Sequence, residues 1–229
     1  MAVHITLVDS CEAVVRHVQT TFATFLSQLR PDVVHVDIQH GRVEDFDGAG
    51  VCFVNPGNCR GRMTGTLDRI LLALMPDVED DVQAVIQAYG DVAPHTGERH
   101  LPMFSALMSR SRTGRWLLTA PCAESPGPGS CRGTRNAFHS THLALSMIIC
   151  ANRAGMGIRR VVMPGMGTGQ TRMNRAEVAR QMCDAFRAVF IDANVVNDPS
   201  QAQHPRLLIG RHHDAPTRRD NVAAPTRHD

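Results

Sequence analysis

The chain has 229 residues, of which 43% are hydrophobic, and a formal net charge of +2. This length and apolar content suit one α/β domain with a sizeable core, and the small net charge favours neither nucleic acid nor a membrane surface as a partner. All 24 basic residues are arginine, which excludes a Walker A loop and a lysine Schiff base. No apolar run reaches the roughly 18 residues of a membrane span, and the N-terminus has no signal-peptide pattern. Seven cysteines without a CxxC pair predict reduced thiols in an intracellular, cytoplasmic protein.

Apolar segments with strand-like and helix-like periodicity alternate along the chain. Strands are expected at 3–8, 33–38, 51–54, 103–108, 116–119 and 159–163. Helices are expected at 11–29, with Ser10 as the cap, and at 68–75, 77–89, 136–153 and 174–190. The short connection between the fourth and fifth strands predicts a hairpin. The alternation predicts an α/β domain with a mixed or largely parallel sheet.

Two glycine-bearing loops each follow an apolar strand and precede a helix. The first is the stretch 55–68 and the second the stretch 164–171. A strand, a glycine-rich loop and a helix N-terminus direct backbone N–H groups at phosphate. Ligands of such folds lie beyond the carboxyl ends of strands, so we expect the two loops to meet at one crevice. Two loops can hold two phosphates, which favours a nucleotide containing a diphosphate.

The segment Asn55-Pro56-Gly57-Asn58, followed by a glycine-bearing loop that ends in Leu67-Asp68, resembles the ligand-binding motif of the macro domain family. The similarity is strongest to the branch found in phage and large-virus genomes. Further pieces follow in that branch's order, namely Leu118-Thr119-Ala120-Pro121, Thr134–Phe138, Pro164–Gly169 and Ala179–Met182. The resemblance extends over about 33–190, and it identifies the chain as a viral or phage macro-like protein, which would act inside the host cell.

The resemblance implies a three-layer α/β/α macro-domain fold with a mixed central sheet. It implies ADP-ribose or an ADP-ribosylated target as the partner, and neither a cofactor nor a metal. Asp37 matches the aspartate that contacts adenine, and Asn58 matches the asparagine that faces the distal ribose. The ligand-binding residues expected from the resemblance are Asp37, Ile38, Asn55, Gly61, Gly65, Pro164, Gly165, Met166, Gly167, Thr168, Gly169 and Gln170.

The sequence leaves open whether the protein is an enzyme. Asn58 can hold the ribose and Asp68 can orient or deprotonate a water, which would allow hydrolysis of an ADP-ribosyl group or removal of a terminal phosphate. Asp68 at a helix start can equally serve the helix dipole alone. The catalytic Gly-Leu-Asp of one hydrolytic branch is replaced by Gly169-Gln170-Thr171, and its lysine is absent. A non-catalytic ADP-ribose reader, or a structural viral protein that retains the fold, is the alternative.

Outside these loops the sequence offers weaker signals. Residues 1–198 are expected to form the domain, and residues 199–229, which are rich in Arg, His and Pro, are expected to form a disordered tail. Nucleic acid is not expected as a partner except through this tail. Cys59 lies near a helix N-terminus that could lower its pKa and make it a nucleophile. A zinc set of two cysteines and two histidines matches no standard spacing, and its members are Cys122, Cys131, His139 and His142.

Overall fold

The computed structural model describes residues 2–125, 131–169, 171–192 and 207–209. The strands are β1 (Val3–Asp9), β2 (Val34–His40), β3 (Val51–Asn55), β4 (Asp91–Val92), β5 (Arg99–His100), β6 (Ala106–Arg110), β7 (Trp116–Thr119), β8 (Arg160–Met163) and β9 (Leu207–Ile209). Seven of them form one sheet in the order β2-β1-β8-β3-β7-β6-β9, while β4 and β5 form a separate hairpin. Within the large sheet only the β6–β7 pair is antiparallel among the described strands. The sheet is therefore mixed, and the predicted hairpin is confirmed.

Helices cover both faces of this sheet. They are α1 (Glu12–Leu26), α2 (Thr66–Leu74), α3 (Val78–Tyr89), α4 (Asn136–Arg153) and α5 (Arg175–Phe190). Helices α1, α4 and α5 pack on one another over one apolar cluster, and α2 and α3 cover a second cluster on the opposite face. The three-layer α/β/α architecture with a mixed central sheet is thus confirmed. None of the helices in the described part of the chain is both long and apolar enough to cross a membrane.

Strand β3 shows why the central strands read as uninterrupted apolar runs. Val51 and Phe53 enter the cluster beneath α2 and α3, whereas Cys52 and Val54 enter the cluster beneath α1, α4 and α5. All four are at most 1% exposed. Successive side chains of a strand point to opposite faces, so a strand covered by helices on both sides must be apolar at every position.

Three neighbouring strands determine where a ligand can bind. β8 lies between β1 and β3 and runs parallel to both. Their carboxyl ends, at Asp9, Asn55 and Met163, therefore lie at the same edge of the sheet. The chain leaves that edge through three loops, two of which are the glycine-bearing loops identified in the sequence.

Two stretches differ from the sequence-based expectation. β2 does not end near Asp37 but continues to His40, because it pairs along the full length of β1, with Asp37 opposite Thr6. Within the expected tail, Leu207–Ile209 pair in parallel with Ala106–Met108 at the sheet edge. The rest of 199–229 lies outside the described residues, and the division at residue 198 stays a prediction.

An ion pair joins the sheet at the edge opposite the three loops. Arg115 donates to both carboxylate oxygens of Asp47, with Nε–Oδ1 at 2.6 Å and Nη2–Oδ2 at 2.7 Å. This bidentate hydrogen bonding holds the pKa of the Asp47 carboxyl below its ordinary value. Arg115 precedes β7 and Asp47 precedes β3, so the pair links the starts of two adjacent strands.

We predict that Asp47→Asn lowers the free energy of unfolding by about 1 kcal/mol at pH 7. A carboxyl whose folded-state pKa is depressed stabilises the fold above its unfolded pKa, and this stability is lost as the pH falls through the folded value. The difference between wild type and variant should therefore shrink in urea titrations below about pH 4. Asp32→Asn, in an exposed pair with Arg30, is the control and should change little at any pH. If the difference in unfolding free energy between wild type and Asp47→Asn stays constant with pH, the depressed pKa of Asp47 is contradicted.

Candidate functional site

A cavity of about 650 Å³ lies at the sheet edge where β1, β3 and β8 end. Its size falls within the range of about 300–1,000 Å³ that is common for small-molecule sites. Most of its wall comes from residues 8–11 at the end of β1, residues 41–44 after β2, the first loop between Asn55 and Asp68, and the second loop between Pro164 and Thr171. Ala123, Ser125 and Arg175 are among the other lining residues. The expectation that the two glycine-bearing loops meet at one crevice is confirmed.

Asp68 ties the first loop to the end of β3. Asn55 Nδ2 donates to Asp68 Oδ1 at 2.8 Å, and the Gly65 N–H donates to Asp68 Oδ2 at 2.8 Å. Asn55 and Asp68 are 4% and 9% exposed, so both hydrogen bonds are shielded from water. Asp68 is the third residue of α2 and reaches back to the capping position at Gly65.

The start of α2 presents hydrogen-bond donors to the cavity. Thr66 and Leu67 are its first two residues and line the wall. Within the described residues no acceptor is bonded to either N–H group. Because the first N–H groups of a helix have no intrahelical acceptor and carry the positive end of its dipole, they favour an anion here.

Asn58 organises the turn of the first loop with its side chain. Its Oδ1 accepts hydrogen bonds from the N–H groups of Arg60 and Arg62 at 3.1 and 3.4 Å, and its Nδ2 donates to the Arg62 carbonyl at 2.9 Å. The residue is 7% exposed and lines the cavity. Both polar atoms of this predicted catalytic side chain are thus engaged with the backbone of its own loop.

Gly165 makes the second loop fit against β1. A Cβ at this position would lie 2.7 Å from Thr168 Cγ2 and 2.8 Å from Asp9 Oδ2. Thr168 Oγ1 donates to the same Asp9 oxygen at 3.2 Å. Gly167 has a φ of +88°, which favours glycine. A Cβ on Gly169 would meet nothing within 4 Å, and Gly169 lines the cavity, so a ligand can approach its backbone closely.

Asp9 is a cavity residue that the sequence reasoning missed. It ends β1, and its Oδ1 accepts the N–H of Cys11 at 2.8 Å. It therefore serves the start of α1, for which Ser10 was expected as the cap; the capping position is Cys11. An aspartate between a predicted strand and a predicted helix was the available signal, because carboxylates are common at helix starts.

Glu44 is the second residue that the sequence reasoning missed. It lies in the 3₁₀ turn Val43–Phe46 after β2 and lines the cavity. Its Oε1 pairs with the guanidinium of Arg42. Its Oε2 is buried and has no hydrogen-bond partner among the described residues. A buried acceptor without a donor is costly, so a ligand donor at this point would relieve a real penalty.

Most of the expected site residues lie together. Those that line the cavity are Asn55, Asn58, Gly65, Asp68, Pro164, Gly165, Gly167, Thr168 and Gly169. Gln170 lies outside the described residues. The cavity wall includes neither Asp37, Ile38, Gly61 nor Met166, and each of these four has another place in the fold.

The geometry does not support the expected ligand contacts of Asp37 and Ile38. Both lie inside β2, and the Asp37 carboxylate is 2.6 Å from His4 Nε2 on the neighbouring strand. The strand continues to His40, so Asp37 and Ile38 lie within it and not at its end. Met166 is fully buried, and its side chain belongs to the core beneath α1, α4 and α5.

Gly61 has a packing role. Its φ is +62°, and a Cβ would lie 2.5 Å from Ile86 Cδ1 and 2.7 Å from Val82 Cγ1 of α3. Close approach of the loop to a helix, and a backbone conformation that disfavours side chains, together explain the glycine. This glycine therefore has a role distinct from ligand binding.

The sulfur and imidazole groups do not form the chemistry considered from sequence. Burial raises the pKa of the Cys59 thiol to about 12, which contradicts its role as an activated nucleophile. Cys131 Sγ donates to the Cys122 carbonyl at 2.7 Å, while His139 and His142 both contact the ring of Phe138. Among the described residues, no group of three or more His, Cys, Asp or Glu side chains is placed to hold a metal.

Comparisons with known proteins find similarity in structure but not in sequence. No family model matches the chain, and no curated protein sequence matches it. Among solved structures, the chain is similar to the macrodomain of Mycobacterium tuberculosis DarG, with 14% sequence identity and a TM-score of 0.46 over 69% of this chain and 86% of that chain. The fold and the cavity described above do not depend on this similarity.

We predict that Gly61→Ala lowers the free energy of unfolding by about 1 kcal/mol because of the left-handed backbone. Overpacking against α3 should lower it further, by about 1 kcal/mol or more. Gly97→Ala is the matched control, because its φ is +69° but a Cβ there would meet nothing within 4 Å. Gly97→Ala should show only the loss of unfolding free energy that comes from the left-handed backbone. Urea denaturation measures both, and equal destabilisation by the two changes would contradict a packing role for Gly61.

Proposed function

We propose that the cavity binds ADP-ribose or a related ADP-ribosyl group. The observation that carries this proposal is the convergence of two glycine-bearing loops, each following a parallel strand, on one cavity. Each loop offers backbone donors of the kind that bind phosphate. The macro-like order of motifs in the sequence, which also supports a phage or viral origin, agrees with this ligand.

The diphosphate is proposed to lie between the start of α2 and the second loop. Thr66 and Leu67 supply N–H groups at the positive end of the α2 dipole. Gly165 and Gly167 let the second loop pack closely against the protein, and Gly169 leaves the opposite wall open to the ligand at its backbone. Two phosphates of one ligand can then each take donors from one loop.

Glu44 is proposed to accept a hydrogen bond from the amino group of the base, the role that the resemblance gave to Asp37. Its Oε2 is the buried cavity oxygen that lacks a donor among the described residues. An exocyclic amino group supplies such a donor, and a charge-assisted bond of this kind is stronger than a neutral one. The acceptor thus comes from the turn after β2 instead of from within the strand.

Binding without turnover is favoured over hydrolysis. Asn58 uses both polar atoms of its side chain on its own loop, and both Asp68 oxygens already accept hydrogen bonds. A general base must reach the water it activates, and these side chains are held by structural partners instead. The proposed role is that of an ADP-ribose reader.

We expect calorimetric titration of ADP-ribose to give a dissociation constant of micromolar order, about −8 kcal/mol. Glu44→Gln should weaken binding about tenfold, because one charge-assisted hydrogen bond is worth roughly 1.5–3 kcal/mol. Glu98→Gln is the control, since Glu98 is exposed and pairs with Arg60 away from the cavity wall. Equal affinities for both variants would remove Glu44 from the site, and absence of heat for the wild type would contradict the function.

We also expect no release of ADP-ribose when the protein is incubated with an ADP-ribosylated protein substrate. Chromatographic detection of free ADP-ribose over hours measures this directly. Asp68→Asn keeps the shape of the side chain and serves as the comparison. Time-dependent release that disappears in Asp68→Asn would show catalysis and overturn the reader assignment.

A further inference from the structure

The charges around the cavity do not by themselves suit a diphosphate. Three carboxylates line the wall, those of Asp9, Glu44 and Asp68, against two guanidinium groups, those of Arg42 and Arg175. The sum, two positive and three negative charges, is −1. A diphosphate diester brings further negative charge, so its binding requires cations or donors that the wall does not already use.

Four of these five charged groups have partners inside the protein. Asp9 and Asp68 accept hydrogen bonds from backbone N–H groups and neighbouring side chains. Arg42 pairs with Glu44. Arg175 makes neither an ion pair nor a hydrogen bond through its guanidinium with any described residue. Among the described residues that line the cavity, it is therefore the cation that remains available to a ligand.

Arg175 is also placed where the second loop enters a helix. It is the first residue of α5, directly after the capping residue Asn174, whose Oδ1 accepts the N–H groups of Ala176 and Glu177. Asn174 thus occupies two of the N–H groups with which this helix start could bind an anion itself. The charge that the helix start offers to the cavity is the guanidinium of Arg175.

We propose that Arg175 binds the diphosphate and makes the cavity selective for diphosphate ligands over nucleosides. This inference rests on the proposed function and adds the residue that determines the ligand class. A guanidinium donates two parallel hydrogen bonds to phosphate oxygens, which a compact cation cannot reproduce. Its long side chain can extend from α5 over the second loop, where Gly169 leaves the space above the backbone open.

Arg172 provides a matched control. It lies three residues before Arg175, in the segment that joins the second loop to α5, is exposed, and does not line the cavity. Its φ is +48°, and its N–H donates to the Gly169 carbonyl at 3.1 Å. Its backbone therefore stabilises the second loop, while the residue does not line the cavity. Replacing either arginine by alanine removes one exposed positive charge from the same region.

The test is calorimetric titration of wild type, Arg175→Ala and Arg172→Ala with ADP-ribose, ADP and adenosine. We expect Arg175→Ala to weaken ADP-ribose and ADP about tenfold or more and to leave adenosine unchanged, while Arg172→Ala changes none of the three appreciably. Affinity of the wild type for ADP-ribose should also fall more steeply with added salt than that of Arg175→Ala. Equal weakening by the two variants, or equal loss of adenosine and ADP-ribose, would overturn the inference.

The outcomes separate this inference from the proposed function. If wild type and Arg175→Ala bind ADP-ribose with equal affinity, the role of Arg175 is rejected and the proposed function stands. Binding of ADP but not ADP-ribose, lost in Arg175→Ala, supports the diphosphate contact and rejects the function. Wild type that binds none of the three ligands contradicts both.

Discussion

The parallel arrangement of β1, β8 and β3 is the constraint on which the site depends. Because β8 lies between the other two and all three run the same way, three loops leave one edge of the sheet side by side. Helices cover both faces of the sheet, and the buried side chains of these strands leave their register little freedom. The cavity is thus a consequence of topology, and the loops need only supply its chemistry.

Buried polar contacts then fix the shape of the two glycine-bearing loops. Asp68 joins the end of β3 to the start of α2, and Asp9 joins the start of α1 to Thr168 of the second loop. These carboxylates hold donors inside the protein, which explains why a wall containing three acids can still present backbone N–H groups to an anion. The same engagement fixes the shape of the site before a ligand binds.

The sequence predicted the layers and both loops because their signals are local. Apolar runs mark strands buried on two faces, and glycines at Gly165 and Gly167 mark positions where a side chain would clash or strain the backbone. What it missed depends on pairing between distant segments. The end of β2 is determined by its register with β1, so Glu44 was overlooked in favour of Asp37. Likewise, only the structure shows that Arg175 lines the cavity without an ion-pair partner among the described residues, because neighbours in space cannot be read from charge alone.

The most direct test of the account is a titration of the isotopically labelled protein with ADP-ribose, followed by the NMR shifts of its backbone amides. We predict shifts concentrated at the cavity loops, at Thr66, Leu67 and 165–169, with little change at the opposite sheet edge near Asp47. Shifts centred away from these loops, for example around the exposed ring of Phe104, or no shifts at saturating ligand, would contradict it.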